Sequence, residues 1–66
     1  MLRMTEERKS RGLSMSALAR RAEMHVSSIS QIESGRLIPY EKQVIKIANA
    51  LNWEDDPKQL FVEVSR

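Results

Sequence analysis

Val26, Ser27, Ser28, Ser30 and Gln31 sit close together in the middle of the chain, and all are short or uncharged. The chemistry open to such a set is recognition rather than bond making. A glutamine carboxamide offers a paired donor and acceptor, a serine a single hydroxyl, and a valine a methyl surface that suits the thymine 5-methyl. A helix with this outer face enters a DNA major groove without repelling phosphates. Gln31 is the residue expected to read a base, through N6 and N7 of adenine. Catalysis is not expected: there is no nucleophile–base pair, metal cluster or glycine-rich phosphate loop. His25 is the only histidine and cysteine is absent, so no metal site or cofactor is expected. The carboxylate pair Asp55-Asp56 is better explained by capping of a following helix.

The elements that must position these side chains can be read from periodicity. Five helical stretches are expected and no strand, since β-branched residues never alternate for long. The first spans residues 2–11, with Met4, Arg8 and Arg11 on one face and Gly12 as its stop. Ser14 reads as the N-cap of a helix over 15–22, whose apolar stripe is Leu18, Ala19 and Ala22. The next runs over 26–33 to Gly35, with Ile29 and Ile32 inward. After the proline-held loop 37–40, a fourth helix over 41–51 carries Val44, Ile47, Ala48 and Leu51 at core spacing, and Asn52 caps its end. Asp56 and Pro57 open a short fifth helix as N-cap and first residue. The expected core is Leu2, Leu18, Ala19, Ile29, Ile32, Val44, Ile47, Ala48, Leu51, Leu60 and Phe61. Trp53 is expected to pack under the fifth helix, with a dimer contact as the alternative.

Only Glu23-Met24-His25 separates the second and third helices, so short a connection that they must cross steeply. Ala19 and Ala22 supply the small side chains such a crossing needs. Glu33, four residues after Ile29, falls on the buried side and requires a partner.

A chain of 66 residues, 41% of them hydrophobic, makes one small domain. It buries roughly 60% of the surface its unfolded form exposes, which favours a compact all-α core. Residues 1–53 carry nine Lys/Arg against five Asp/Glu, a balance of +4, and residues 54–66 two against four, a balance of −2. A basic body suits an anionic partner such as nucleic acid, although an ordinary solvated surface has the same composition. No apolar run approaches a membrane span or a signal peptide, so a cytoplasmic location with no membrane partner is expected.

Leu13-Ser14-Met15-Ser16-Ala17-Leu18-Ala19 resembles the start of the helix-turn-helix in Cro/cI-like (xenobiotic response element) regulators. Ile29-Ser30-Gln31-Ile32-Glu33-Ser34-Gly35-Arg36 resembles its end, and Pro39 with Ile47-Ala48-Asn49-Ala50-Leu51 resembles that family's fourth helix. The resemblance covers about residues 2–62. It implies a five-helix, lambda-repressor-like DNA-binding domain, a transcription regulator more often repressor than activator, and a homodimer on duplex DNA. Carried over by position, the helix-turn-helix spans residues 15–34. The base-reading positions are His25, Val26, Ser27 and Gln31, with Ser28 beside them. The phosphate-contacting positions are Ser14, Met15, Ser34 and Arg36. Lys42, on the first turn of the fourth helix, joins them because free N–H groups there also take a phosphate.

Several roles stay open at this stage. His25 either contacts DNA or is a solvated helix-start residue, Ser28 binds base or phosphate, and Met15 faces DNA or covers its own helix. Arg8 occupies the position that pairs with Glu33 in similar domains, with Arg20, Arg21 or solvent as alternatives. Four positions depart from the family pattern: Glu23 stands for the turn glycine, Met15 for a glutamine, His25 for a Ser/Thr cap, and Ala17 for a capping-box glutamate. Leu37, Ile38 and Tyr40 either close the core or form a dimer surface with the last helix. No small-molecule effector is indicated. The rival reading is a protein–protein adaptor or antitoxin on the same fold.

Overall fold

The computed structural model describes residues 1–64. Four α-helices follow in order: α1 Arg3–Ser10, α2 Met15–Ala22, α3 Val26–Glu33 and α4 Glu41–Ala50. The fifth helix expected from the sequence is instead one 3-10 turn, Pro57–Phe61. Its start is as read: the Asp56 side chain accepts from the Lys58 N–H at 3.1 Å, with Pro57 directly after the cap. It cannot lengthen, because Val62 is extended and its carbonyl accepts from Arg3 N–H at 2.9 Å. Val64 N–H donates to Met1 O at 2.8 Å, closing an isolated antiparallel bridge between Leu2 and Glu63. The Met1 ammonium adds a 2.9 Å ion pair to Glu63. Chain closure at this bridge therefore overrides helix propagation.

α2 is the central element and packs against both α3 and α4, while the 3-10 turn wedges between α1 and α4. The core holds Met4, Leu18, Ala19, Ala22, Ile29, Ile32, Ile47, Ala48, Ala50, Leu51 and Leu60. Three expected members, Leu2, Val44 and Phe61, are only half-buried, because each lies beside the loop and bridge that leave this side of the domain open. Trp53 packs against the core and donates its indole N–H to Asp56 O at 3.0 Å, at the start of the 3-10 turn.

Every helix ends in the same way. The residues with positive φ are Gly12, Glu23, Gly35 and Asn52. Each donates its N–H to the carbonyl three residues back, and the next residue donates to the carbonyl five back, as in Met24 N–H to Ala19 O at 2.8 Å and Trp53 N–H to Ala48 O at 2.9 Å. These are Schellman closures, which need a left-handed residue. Glycine and asparagine adopt that conformation easily, whereas glutamate at φ 56° and ψ 46° carries about 1 kcal/mol or more of steric cost.

Two stability changes follow. Glu23→Gly should raise stability by about 1 kcal/mol, roughly 4–8 °C in Tm for a domain of this size, in thermal unfolding followed by circular dichroism. Thr5 is buried and its hydroxyl finds no hydrogen-bond partner among the described residues. Thr5→Val, nearly the same shape, should leave urea stability unchanged or raise it by about 1 kcal/mol, since it removes a desolvated polar atom. A loss above that range means that the hydroxyl has a partner in solution.

Candidate nucleic-acid interface

The geometry of α2 and α3 follows from how the chain turns between them. The left-handed Glu23 reverses the backbone at once, and Met24 packs back against the core. His25 is extended and serves as the N-cap position of α3, but its side chain accepts no hydrogen bond from the helix. The first-turn N–H groups of α3 are thus left without a side-chain cap, as helix starts that face a phosphate often are.

The orientation of α3 is set by burial. Ile29 and Ile32 are fully enclosed, and the helix rests on α2 through them. Val26, Ser27, Ser30 and Gln31 are exposed on the opposite side, with Ser27 and Gln31 one turn apart. Ser30 belongs to this face and is missing from the base-reading positions carried over by resemblance; its place one turn after Val26 and Ser27 is the signal that reveals it. The Gln31 carboxamide makes no hydrogen bond within the described chain, so both its donor and its acceptor are free. His25 is exposed beside them, and Ser28 is half-buried.

The positions expected to touch phosphate are less uniform. Ser14 Oγ accepts from Ala17 N–H at 3.0 Å, capping α2 without any glutamate at Ala17, and its own proton remains free to donate. Met15 is half-buried against the core, the covering role of the two left open for it. Ser34 donates its hydroxyl to Gln31 O at 3.1 Å, so its one proton is already engaged within the chain. Arg36 is exposed, and its guanidinium has no acid partner among the described residues. Lys42 is exposed on the first turn of α4. Arg11 pairs with Glu7 on its own helix.

A buried ion pair holds this assembly in register. Arg8 Nε donates to Glu33 Oε2 at 2.8 Å and Nη2 to Oε1 at 3.1 Å. Its third donor, Nη1, reaches Leu13 O at 2.8 Å. Both side chains are at least nine-tenths buried. Arg20 and Arg21 are exposed and take no part. One guanidinium thus ties α1, the α1–α2 loop and the last turn of α3 together in planar, bidentate geometry.

These features fit one family, and the comparison with family models agrees. The helix-turn-helix model matches residues 4–55. The chain belongs to the helix-turn-helix family. Searches of curated proteins and of solved structures returned no significant match. The family is one of DNA-binding regulators rather than enzymes. No described helix of this helix-turn-helix protein is long and apolar enough to cross a membrane.

Removing either partner of the buried pair should cost about 3–5 kcal/mol, because a desolvated charge is left behind. Arg8→Met with Glu33→Met together should recover most of that loss in urea unfolding, since the two long apolar side chains fill the space. Equal, additive losses would show that the two groups do not interact.

Proposed function

We propose that this protein is a sequence-specific transcriptional regulator, a repressor that acts in the cytoplasm by binding a palindromic operator as a homodimer. In this reading α3 lies in the major groove, with Gln31 on adenine and Val26 on a thymine methyl. Ser27, Ser28 and His25 line the same groove, and Ser30 joins them. Ser14, Arg36, Lys42 and the start of α2 at Met15 fix the register on phosphates, and Ser34 contributes only by supporting the end of α3. Met15 offers no donor, so its part is a backbone N–H at the start of α2. Repression follows from occupying the operator and blocking polymerase.

One observation carries the reading: α3 buries its isoleucines completely while it displays a free carboxamide, two hydroxyls and a methyl surface to solvent. Such a face adds little to stability where it stands, and it matches the donor, acceptor and methyl pattern of base edges. One copy reads only a few base pairs, and two-fold symmetry doubles that footprint.

Selection of bound sequences from random duplexes should return a motif with two-fold symmetry, bound more weakly as salt rises. Gln31→Ala should weaken binding to the selected site by about 5- to 150-fold, the equivalent of about 1–3 kcal/mol, and relax preference at one base pair per half-site. Arg36→Ala should weaken binding evenly across sequences and flatten the salt dependence by about one phosphate. Recovery of no enriched motif would end the reading and favour a protein–protein adaptor.

A further inference from the structure

The exposed face of α3 carries Val26, Ser27, Ser30 and Gln31. A bidentate contact to guanine sets two donors against O6 and N7, which arginine or lysine supplies, and a contact to cytosine sets a carboxylate against N4. α3 has no lysine or arginine, and its one acid, Glu33, is held inside by Arg8 with 5% of its side chain exposed. His25, at the N-cap, offers a single donor when neutral. The serine hydroxyls donate or accept and so choose no base. Sequence choice therefore falls to Val26 and Gln31, which stand on opposite edges of the face with Ser27 and Ser30 between them. Both are held ready. Val26 is 45% exposed. A valine in a helix keeps one rotamer, so its methyl groups point in one direction. The Gln31 carbonyl accepts from the Ser34 hydroxyl at 3.1 Å, from Arg36 N–H at 2.9 Å and from Leu37 N–H at 3.2 Å. The backbone at Gln31 is thereby pinned, while its carboxamide makes no hydrogen bond among the described residues.

We infer that the protein selects A·T pairs by two major-groove substituents, the thymine 5-methyl at Val26 and the outward 6-amino hydrogen of adenine at Gln31, and that N6-methylation of that adenine releases it. The inference rests on the reading of α3 as the groove helix and names the class of duplex it takes. Adenine N6 carries two hydrogens. One pairs with thymine O4, and the other points into the major groove beside the N7 acceptor. A carboxamide meets both, Oε1 accepting from N6 and Nε2 donating to N7. In a paired duplex the inward hydrogen is held by thymine, so N6-methylation replaces the outward one. Oε1 then faces a methyl group and is desolvated without a donor. Guanine fails at the same atom, because its O6 presents an acceptor where Oε1 needs a donor. At Val26 the contact is apolar and asks only for a methyl group on the pyrimidine.

Selection from random duplexes locates the two pairs, as the positions where preference relaxes in Gln31→Ala and in Val26→Ala. Fluorescence anisotropy with synthetic duplexes of the selected site then tests each substituent on the wild-type protein, so that folding of a variant is not at issue. N6-methyladenine at the Gln31 pair should weaken binding by about 5- to 150-fold, the loss expected for Gln31→Ala. Gln31→Ala itself should bind the methylated and unmethylated duplexes equally. Deoxyuridine in place of thymine at the Val26 pair should cost about fourfold per half-site, the transfer value of one methyl group. At the same place 5-methylcytosine should bind about fourfold better than cytosine. Both residues are exposed, so the variants should keep the wild-type circular dichroism spectrum. A selected site with G·C at the Gln31 pair overturns the inference. So does wild-type affinity that N6-methyladenine or deoxyuridine leaves unchanged, and each of these results leaves the DNA reading standing. Recovery of no enriched duplex removes the groove reading, and the inference with it.

Discussion

A single guanidinium ties the first and third helices together. Arg8 and Glu33 are separated by two helices and two turns, yet three donors of one side chain fix Glu33 and the Leu13 carbonyl together. The link is reciprocal with the backbone, because Leu13 N–H donates to Arg8 O at 3.1 Å in the closure of α1. Buried charges are costly unless they are paired and hydrogen-bonded, so this arrangement admits few alternatives. Its value is therefore specificity of register: α3 is held at its last turn by the pair and along its length by Ile29 and Ile32. What remains for its outer face is fixed in orientation before any ligand arrives.

A second constraint is length. Helices of eight to ten residues cannot persist alone, and each here must be stopped and turned within a few residues. The repeated left-handed closure does this at all four helix ends with the same pair of hydrogen bonds. Three of the four use residues that tolerate the conformation, and Glu23 does not. Neither glycine has any atom within 4 Å of where a Cβ would sit, so conformation and not crowding selects glycine there. Glu23 is exposed, and its side chain makes no hydrogen bond or ion pair among the described residues.

Much of this was legible in the residue order, for reasons that differ by element. Gly12 and Gly35 announce helix ends, Ser14 and Asp56 announce starts, and the isoleucines of α3 declare its inward side, because each of these signals is local. The pairing of Arg8 with Glu33 was legible only with the resemblance to known domains beside the burial of Glu33. What was illegible is non-local. The fifth helix is a five-residue 3-10 helix, stopped where residues 62–64 pair with residues 1–3, and no periodicity carries that information. Met4 and Ala50 are buried though the expected core omits them, Met4 on the same face as buried Arg8, and Val44 and Phe61 stay half-open because no described residue covers their side. Ser34 shows the limit of motif transfer: the resemblance gives it a phosphate-contacting position, whereas its proton is already held by Gln31 O.

The division of labour between charge and shape follows from these facts. α3 carries no lysine or arginine, and its one acid is neutralised inside the domain by Arg8. Its outer face therefore contributes almost nothing to long-range attraction, and the free cations lie on other elements, as at Arg36 after α3 and Lys42 on α4. Under the proposed function, non-specific attraction and base discrimination reside on different segments, joined through the backbone at Gln31. Such a separation lets the electrostatic term position the domain on any duplex while leaving the choice of sequence to short-range contacts that a single wrong methyl or carbonyl disrupts. Under that proposal a lysine or arginine on the α3 face would strengthen binding to every duplex, and the discrimination proposed for one carboxamide and one valine would shrink beside it.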